Sequence, residues 1–263
     1  MIKGFCFTLF FNVSQMLHAS EVQNYNAVQS EVKDWLITDL DNTVFTPDLV
    51  NSTDKMLAKQ ATDESFYLLR AKATLELGSH WLKDADGKQA MSKWLGYRFA
   101  VNAWNKTIID GTTSSKVIMR PVEQEIPAII KSIQTKGFRV IALTAREPSL
   151  QKSTEQTLSH LDINLKTNSP LLEEVTYKSI EEDPLEERTA VWSQGILYVG
   201  RGHGSTNHKG KMFLAWLKEA KLAKPKHVVF IDDRAEHCLG MKQELEREGI
   251  PTTAFIYTQI KAL

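Results

Sequence analysis

The chain has 263 residues, of which 42% are hydrophobic and 24% are charged. These values exclude a disordered, collagen-like or multispan membrane protein, and the length predicts one core domain with a sizeable insertion. The 32 basic residues balance the 32 acidic residues, so we expect no nucleic-acid partner, which would favour a positively charged surface. The two cysteines, Cys6 and Cys238, are too few for a disulfide scaffold or a cysteine zinc site.

Residues 1–19 have the three parts of a secretory signal peptide. Lys3 precedes an apolar run over residues 4–13, and the small residues Ala19 and Ser20 follow. About ten apolar residues are too few to cross a bilayer, which needs roughly twenty. We therefore expect cleavage after Ala19 or Ser20, which gives a periplasmic or secreted protein without a stable membrane anchor. The alternative interpretation is a first strand or helix buried in the fold.

Five short apolar runs follow, and each predicts a β-strand. They occupy residues 35–38, 138–143, 196–199, 227–231 and 253–257. The runs are nearly continuous, as in strands buried on both faces of a parallel sheet. Helical patterns lie between them at residues 126–133, 212–217 and 238–245, and Pro127 fits only the first turn of its helix. This alternation predicts an α/β fold with a Rossmann-like open parallel sheet.

Residues 48–118 interrupt the alternation of strands and helices. Apolar side chains recur there at helical spacing over residues 66–77 and again over residues 94–104. We interpret 48–118 as a helical cap inserted into an α/β core formed by residues 20–47 and 119–263. The aromatic residues of the cap are interpreted mainly as its own core, because buried aromatic side chains dominate packing.

Polar side chains follow four of the predicted strands. In chain order they are Asp39 and Asp41, then Thr144, then Lys209 or Lys211, then Asp232 and Asp233. The carboxyl ends of parallel strands meet at one edge of a sheet, where open α/β folds bind ligands. We therefore expect acid, hydroxyl, cation and second acid to share one crevice. Thr43 is interpreted as a hydroxyl at a turn and helix start.

These groups fit phosphoryl transfer through an aspartyl phosphate. A carboxylate can attack phosphorus in line, while a hydroxyl and an ammonium stabilise the charge on the equatorial oxygens. Mg²⁺ prefers oxygen ligands, so Asp39 and Asp232 form a natural metal-binding pair. Without a cation, clustered carboxylates would repel a phosphate and one another. The sequence thus predicts a Mg²⁺ site that acts on a small phosphorylated substrate.

In this order and at these strand ends, the residues resemble the four motifs of the haloacid dehalogenase superfamily. The resemblance covers about residues 30–47 and 119–257 and implies a core sheet of that type with a cap. Within the superfamily, the chain is similar to an uncharacterised family of exported bacterial proteins. That similarity rests on Thr-Ala-Arg at 144–146 and on the Lys-Gly pair at 209–210.

The resemblance implies roles for the first two motifs. Asp39 would be the nucleophile and a metal ligand. Asp41 would be the general acid and base, and its backbone carbonyl would also face the metal. Thr144 would donate a hydrogen bond to a phosphate oxygen. A carboxylate at position 41 favours a phosphatase, because superfamily dehalogenases and ion-pumping ATPases resemble this pattern without a carboxylate there.

The resemblance also implies roles for the last two motifs. Lys209 would pair with the nucleophile and the phosphate, and it is favoured over Lys211 because a glycine follows it. Asp232 would hold Mg²⁺, with Asp233 beside it.

Arg146 is compatible with two roles, the binding of a second anionic group or a structural salt bridge with Glu147 or a neighbouring helix. Two other functions use the same fold and stay open at this point. One is a phosphotransferase with the same site, and the other is a catalytically silent secreted binding or effector protein.

Overall fold

A computed structural model of the protein describes residues 18–47, 119–177, 189–200 and 207–259. The strands in these ranges are β1 (Ser20–Val22), β2 (Trp35–Thr38), β3 (Phe45–Pro47), β4 (Met119–Pro121), β5 (Arg139–Thr144), β6 (Val175–Tyr177), β7 (Ala190–Ser193), β8 (Ile196–Tyr198), β9 (Val228–Asp232) and β10 (Thr252–Tyr257). The helices are α1 (Tyr25–Gln29), α2 (Ile126–Thr135), α3 (Gln151–His160), α4 (His208–Glu219) and α5 (Ala235–Arg247).

Eight of these strands form one mostly parallel sheet. Their order is β1-β10-β9-β2-β5-β8-β7-β6, while β3 and β4 pair separately. Strand β2 lies at the centre, with Ile37 opposite Phe230 of β9 on one side and Ile141 of β5 on the other. The sheet therefore changes winding direction at β2, the point where open α/β sheets bind ligands.

The sheet is buried on both faces. On one face, Leu36 of β2 and Val140 of β5 pack with α1 and α2, and on the other face Ile37 packs with α4 and α5. Alternate residues of each central strand thus enter different cores. This double burial explains why the strands read as continuous apolar runs and confirms the predicted α/β fold class.

The predicted elements agree closely with the observed ones. Each of the five predicted strands is present, with bounds that differ by about one residue. Helix α2 begins at Ile126 with Pro127 in its first turn, as predicted, and it ends before Gly137, which has a φ of 86°. The predicted cap, residues 48–118, lies outside the described residues, and its fold stays a prediction.

Strands β6 and β7 extend the sheet in a way that the sequence did not predict. They run antiparallel, and β7 joins β8 through a two-residue hairpin at Gln194 and Gly195. Both residues have positive φ values, 54° and 83°, which suits the twist of a tight hairpin. The five predicted strands are parallel to one another, and the antiparallel strands β6 and β7 add an edge to that sheet.

Strand β1 begins at Ser20, next to the predicted cleavage point. Strand β1 pairs in parallel with β10, with Ser20 opposite Phe255. Ala19 is buried beside it. Cleavage after Ala19 would thus remove nothing from β1, and cleavage remains a prediction. Among the described residues, no helix is both long and apolar enough to cross a membrane.

Candidate active site

The first carboxylate of the site is fixed by the end of β2. The backbone N–H of Asp39 donates to the carbonyl of Ile231 in β9 (2.9 Å), which extends the strand pairing by one residue. The Thr38 hydroxyl donates to the Asp39 carbonyl (2.8 Å) and accepts a hydrogen bond from the Tyr25 hydroxyl (3.0 Å). A buried chain of hydroxyl groups therefore connects α1 with the backbone of Asp39.

A tight turn follows and presents Asp41. The carbonyl of Leu40 accepts hydrogen bonds from the N–H groups of Val44 (2.9 Å) and Phe45 (3.1 Å). Asn42 has a φ of 60°, which asparagine tolerates better than most residues. Our expectation of a helix start near residue 43 is wrong, because the turn leads directly into β3.

Lys209 lies between two carboxylates. Its Nζ atom donates to Oδ1 of Asp39 (2.5 Å) and to Oδ2 of Asp232 (2.6 Å), and the residue is only 2% exposed. Lys209 belongs to the first turn of α4, whose start brings it to the carboxyl edge of the sheet. Lys211 is two residues further along and points to a different side of the helix. The structure thus places Lys209 in contact with the carboxylates of Asp39 and Asp232.

Asp232 and Asp233 complete an acidic cluster with Asp39. Carboxylate oxygens of the three residues lie within 4.8 Å of one another. Asp232 also accepts hydrogen bonds from the backbone N–H of Arg234 (2.9 Å) and contacts Nδ1 of His237 (3.1 Å). We did not predict the contact with His237. It depends on α5 beginning just after β9, which places residue 237 back over the strand end.

Two carboxyl groups of the cluster have raised pKa values, through burial and through the negative charge around them. Burial raises the pKa of Asp39 to about 6, with Lys209 opposing the shift and the Asp232 and Asp41 carboxylates adding to it. Burial likewise raises the pKa of Asp233, and the charges of Asp232 and Asp39 act in the same direction. A nearby like charge disfavours ionisation, as does loss of water.

Lys209 and Asp232 form a buried ion pair within the cluster. Burial works against ionisation of Asp232, but Lys209 and His237 outweigh it and hold the pKa of Asp232 well below its usual range. Burial also works against a charged Lys209, but the Asp232 and Asp39 carboxylates raise its pKa. Lys209 is therefore a permanent ammonium that neutralises one of three carboxylates.

This donor set fits a divalent cation. Three carboxylates against one ammonium leave about two negative charges, and the ligand atoms are all oxygens. Hard oxygen ligands are those that Mg²⁺ prefers. A dication would offset the charge that raises the pKa values of Asp39 and Asp233.

Thr144 and Arg146 lie at the end of β5. Thr144 is buried, and its Oγ1 accepts a hydrogen bond from the backbone N–H of Arg146 (3.2 Å). The Arg146 guanidinium binds Asp41 at two points, with Nε donating to Oδ2 (2.8 Å) and Nη2 donating to Oδ1 (2.7 Å). We expected Arg146 to bind a second anionic group of the substrate or to form a structural salt bridge. Its observed partner is Asp41, the predicted general acid and base.

The four predicted motifs therefore form one group. Asp39, Lys209, Asp232 and Asp233 form its acidic centre, and Thr144 is linked to Asp41 through Arg146. The fold and these side chains define an open α/β protein with a buried acidic cluster at the carboxyl edge of its sheet.

Comparison with known families identifies the particular group. The model of the family described as "Protein of unknown function (DUF2608)" matches residues 98–262. The match covers more than half of the chain, so the chain belongs to this family.

The chain also matches a phosphoserine phosphohydrolase-like protein from Francisella tularensis subsp. tularensis SCHU S4. The sequence identity is 14%, the match covers 88% of this chain and 91% of that one, and the TM-score is 0.36. A likeness at this level assigns neither activity nor substrate. No curated protein matches the chain significantly.

Proposed function

We propose that the protein is a Mg²⁺-dependent phosphomonoester hydrolase that acts through an aspartyl phosphate at Asp39. The observation that carries this proposal is the buried contact of one lysine with two carboxylates, Asp39 and Asp232, beside a third carboxylate. A structural ion pair would not need the third acid, Asp233, whose pKa is raised by burial and by the charges of Asp232 and Asp39. Strongly perturbed carboxyl groups grouped in a cleft are typical of catalytic sites.

The first half of the reaction transfers the phosphoryl group to the protein. A carboxylate oxygen of Asp39 forms a bond to phosphorus while the ester oxygen leaves. Asp41, which pairs with the Arg146 guanidinium in the structure, takes up a proton from solvent before this step. It gives that proton to the ester oxygen, so the product departs as an alcohol. The Thr144 hydroxyl donates to an equatorial oxygen of the phosphoryl group, and Lys209 stabilises the charge that develops there.

The second half restores the protein. Asp41, now a carboxylate, takes a proton from a water molecule, whose oxygen attacks phosphorus as the bond to Asp39 breaks. Inorganic phosphate leaves and Asp39 is again a carboxylate. Lys209 holds Oδ1 of Asp39 through both steps, which keeps the carboxylate in the orientation needed for attack.

The acidic cluster would hold the metal. Asp39, Asp232 and Asp233 would supply carboxylate oxygens, and the backbone carbonyl of Asp41 would add a fourth oxygen. When bound, Mg²⁺ supplies positive charge to the phosphate oxygens and lets an anionic substrate approach the carboxylates.

The substrate that we propose is a small phosphate ester outside the cytoplasm. The predicted signal peptide at 1–19 supports export, and the predicted cap at 48–118 would select the ester. The balanced charge of the chain supports neither a nucleic acid nor an anionic membrane as a partner. The same site would serve a phosphotransferase if an alcohol replaced water in the second half.

The test is hydrolysis of a panel of phosphate esters by the mature chain, with Mg²⁺ or with EDTA. We expect release of phosphate that requires the metal and is lost in Asp39→Asn, because an amide cannot attack phosphorus. Asp162→Asn is a matched control, since Asp162 is exposed and lies beyond α3, outside the site.

Two results would refute the proposed hydrolase function, and each would identify a different function. Transfer of the phosphoryl group to an added alcohol in preference to water would identify a phosphotransferase. A folded protein that is stabilised by Mg²⁺ but hydrolyses no ester would identify a catalytically silent binding protein.

A further inference from the structure

Arg146 contacts two of the proposed functional groups, Asp41 and Thr144. Its guanidinium binds the two carboxylate oxygens of Asp41 at 2.8 and 2.7 Å. Its backbone N–H donates to Oγ1 of Thr144 at 3.2 Å. One residue therefore connects the proposed acid and base with the proposed phosphate-binding hydroxyl.

The Arg146 side chain is itself held firmly. It is 5% exposed, and its Nη1 donates to Oγ1 of Thr154 in α3 (3.2 Å). The Thr154 hydroxyl donates in turn to the carbonyl of Leu150 (2.8 Å). The guanidinium carbon lies 5.0 Å from the ring centre of Phe45, within the range of a cation–π contact. Three different elements thus fix the guanidinium in one position.

We propose that Arg146 is a positioning residue for Asp41, an inference that rests on the proposed hydrolase function. The Asp41 side chain is 29% exposed and stands on a turn, where a carboxylate is free to rotate unless another group holds it. Two parallel N–H···O bonds fix both its position and its plane. Arg146 acts on the reaction through Asp41, because its guanidinium donates to Asp41 and Thr154.

A lysine at position 146 would keep the charge but lose the function. Its single ammonium cannot form the planar two-point contact, and it does not stack on Phe45 as a guanidinium does. The loss should appear in the step in which Asp41 protonates the leaving oxygen. That step limits alkyl esters far more than aryl esters, since a phenolate leaves with little help from an acid.

The experiment compares an alkyl phosphate with an aryl phosphate at saturating Mg²⁺. We expect Arg146→Lys to lower kcat about tenfold or more on the alkyl ester, in the range of general acid catalysis, and less than about twofold on the aryl ester. Asp41→Asn should show the same selectivity, and the double variant should be no slower than Asp41→Asn alone. Arg139→Lys is the control, because Arg139 also stacks on an aromatic ring at 5.0 Å but at the opposite end of β5.

Thr154→Val provides a second route if Arg146→Lys does not fold. It keeps the arginine and removes the oxygen that anchors its Nη1 atom, so we expect a smaller loss with the same preference for the aryl ester. Equal losses on both esters, additive losses in the double variant, or a rate that rises would overturn the role of Arg146. A wild type that hydrolyses no ester would refute the proposed function and this inference together, whereas an active wild type with an unselective Arg146→Lys would refute this inference alone.

Discussion

The acidic cluster should make the metal-free protein less stable as the pH rises. The pKa of Asp39 is about 6 in the folded protein, against an ordinary value of 3.8. Between these values the folded state binds a proton that the unfolded chain releases. The stability that Asp39 contributes is therefore fully present below about pH 4 and is lost as the pH rises through about 6. Each pH unit of this gap corresponds to about 1.4 kcal/mol, so the full loss is about 3 kcal/mol.

Urea unfolding in EDTA at a series of pH values measures this loss. Asp39→Asn removes the titrating group, and the free energy of unfolding of the wild type should fall by about 3 kcal/mol relative to that variant between about pH 4 and pH 7. Asp162→Asn, in an exposed position, should follow the wild type. The difference between two matched curves cancels the groups that titrate far from Asp39, whereas Asp233 does not cancel, because the charge of Asp39 raises its pKa.

Mg²⁺ should reverse the effect, because it favours the ionised cluster. At a concentration about 100 times its dissociation constant, a ligand stabilises the folded state by about 2.7 kcal/mol. At pH 7 we expect this gain in the wild type and a much smaller one in Asp39→Asn. Curves of unfolding free energy against pH that run parallel for wild type and Asp39→Asn from pH 4 to pH 7 in EDTA would refute the reasoning. The ionised form of Asp39 would then not be disfavoured by burial and by the neighbouring carboxylates.

Two further predictions concern the frame of the site, and a third concerns export. Gly210→Ala should cost about 1–3 kcal/mol in urea unfolding and slow hydrolysis, because a Cβ at this position would lie 2.8 Å from Cβ of Glu244 and push α4 away from α5. Tyr25→Phe should cost about 1 kcal/mol, since it removes one link of the buried hydroxyl chain but keeps the ring; an unchanged midpoint would contradict that. Intact mass of the protein from its native cell should give Ser20 or Glu21 as the first residue, and retention of the initiator methionine would exclude export through this signal.

The central strands and their polar ends could be predicted because local signals and topology agree there. Strands buried on both faces are continuous apolar runs, and a residue that follows such a run in a parallel sheet must lie at the carboxyl edge. That reasoning was enough to bring Asp39, Thr144 and Asp232 to one crevice. It needed no knowledge of side-chain contacts.

Helix α3 was missed because its buried face is polar. Ser153, Thr154 and Thr157 are buried there together with Leu158, and their hydroxyl groups donate to backbone carbonyls of the preceding turn. A method that reads apolar periodicity does not detect such a helix. The polar face has a consequence for the site, because Thr154 anchors Arg146.

The partner of Arg146 also could not be predicted from the sequence. Its contact with Asp41 joins residues 105 positions apart, and nothing in the local pattern distinguishes it from a salt bridge to the adjacent Glu147. The glycine after Lys209 is a similar case. The pair identified the lysine by resemblance, but the reason for the glycine is the close approach of α5, which only the packed structure reveals.

The two aspartates of the first motif, Asp39 and Asp41, are only two residues apart, yet the structure gives them different counter-charges. Asp39 shares Lys209 with Asp232 beside a third carboxylate, which leaves a net negative charge, whereas Asp41 binds the guanidinium of Arg146 at two points. Removal of the metal should therefore act through Asp39, and removal of the guanidinium should act through Asp41. The two perturbations are separable, because chelation changes stability and its pH dependence while Arg146→Lys changes selectivity between leaving groups.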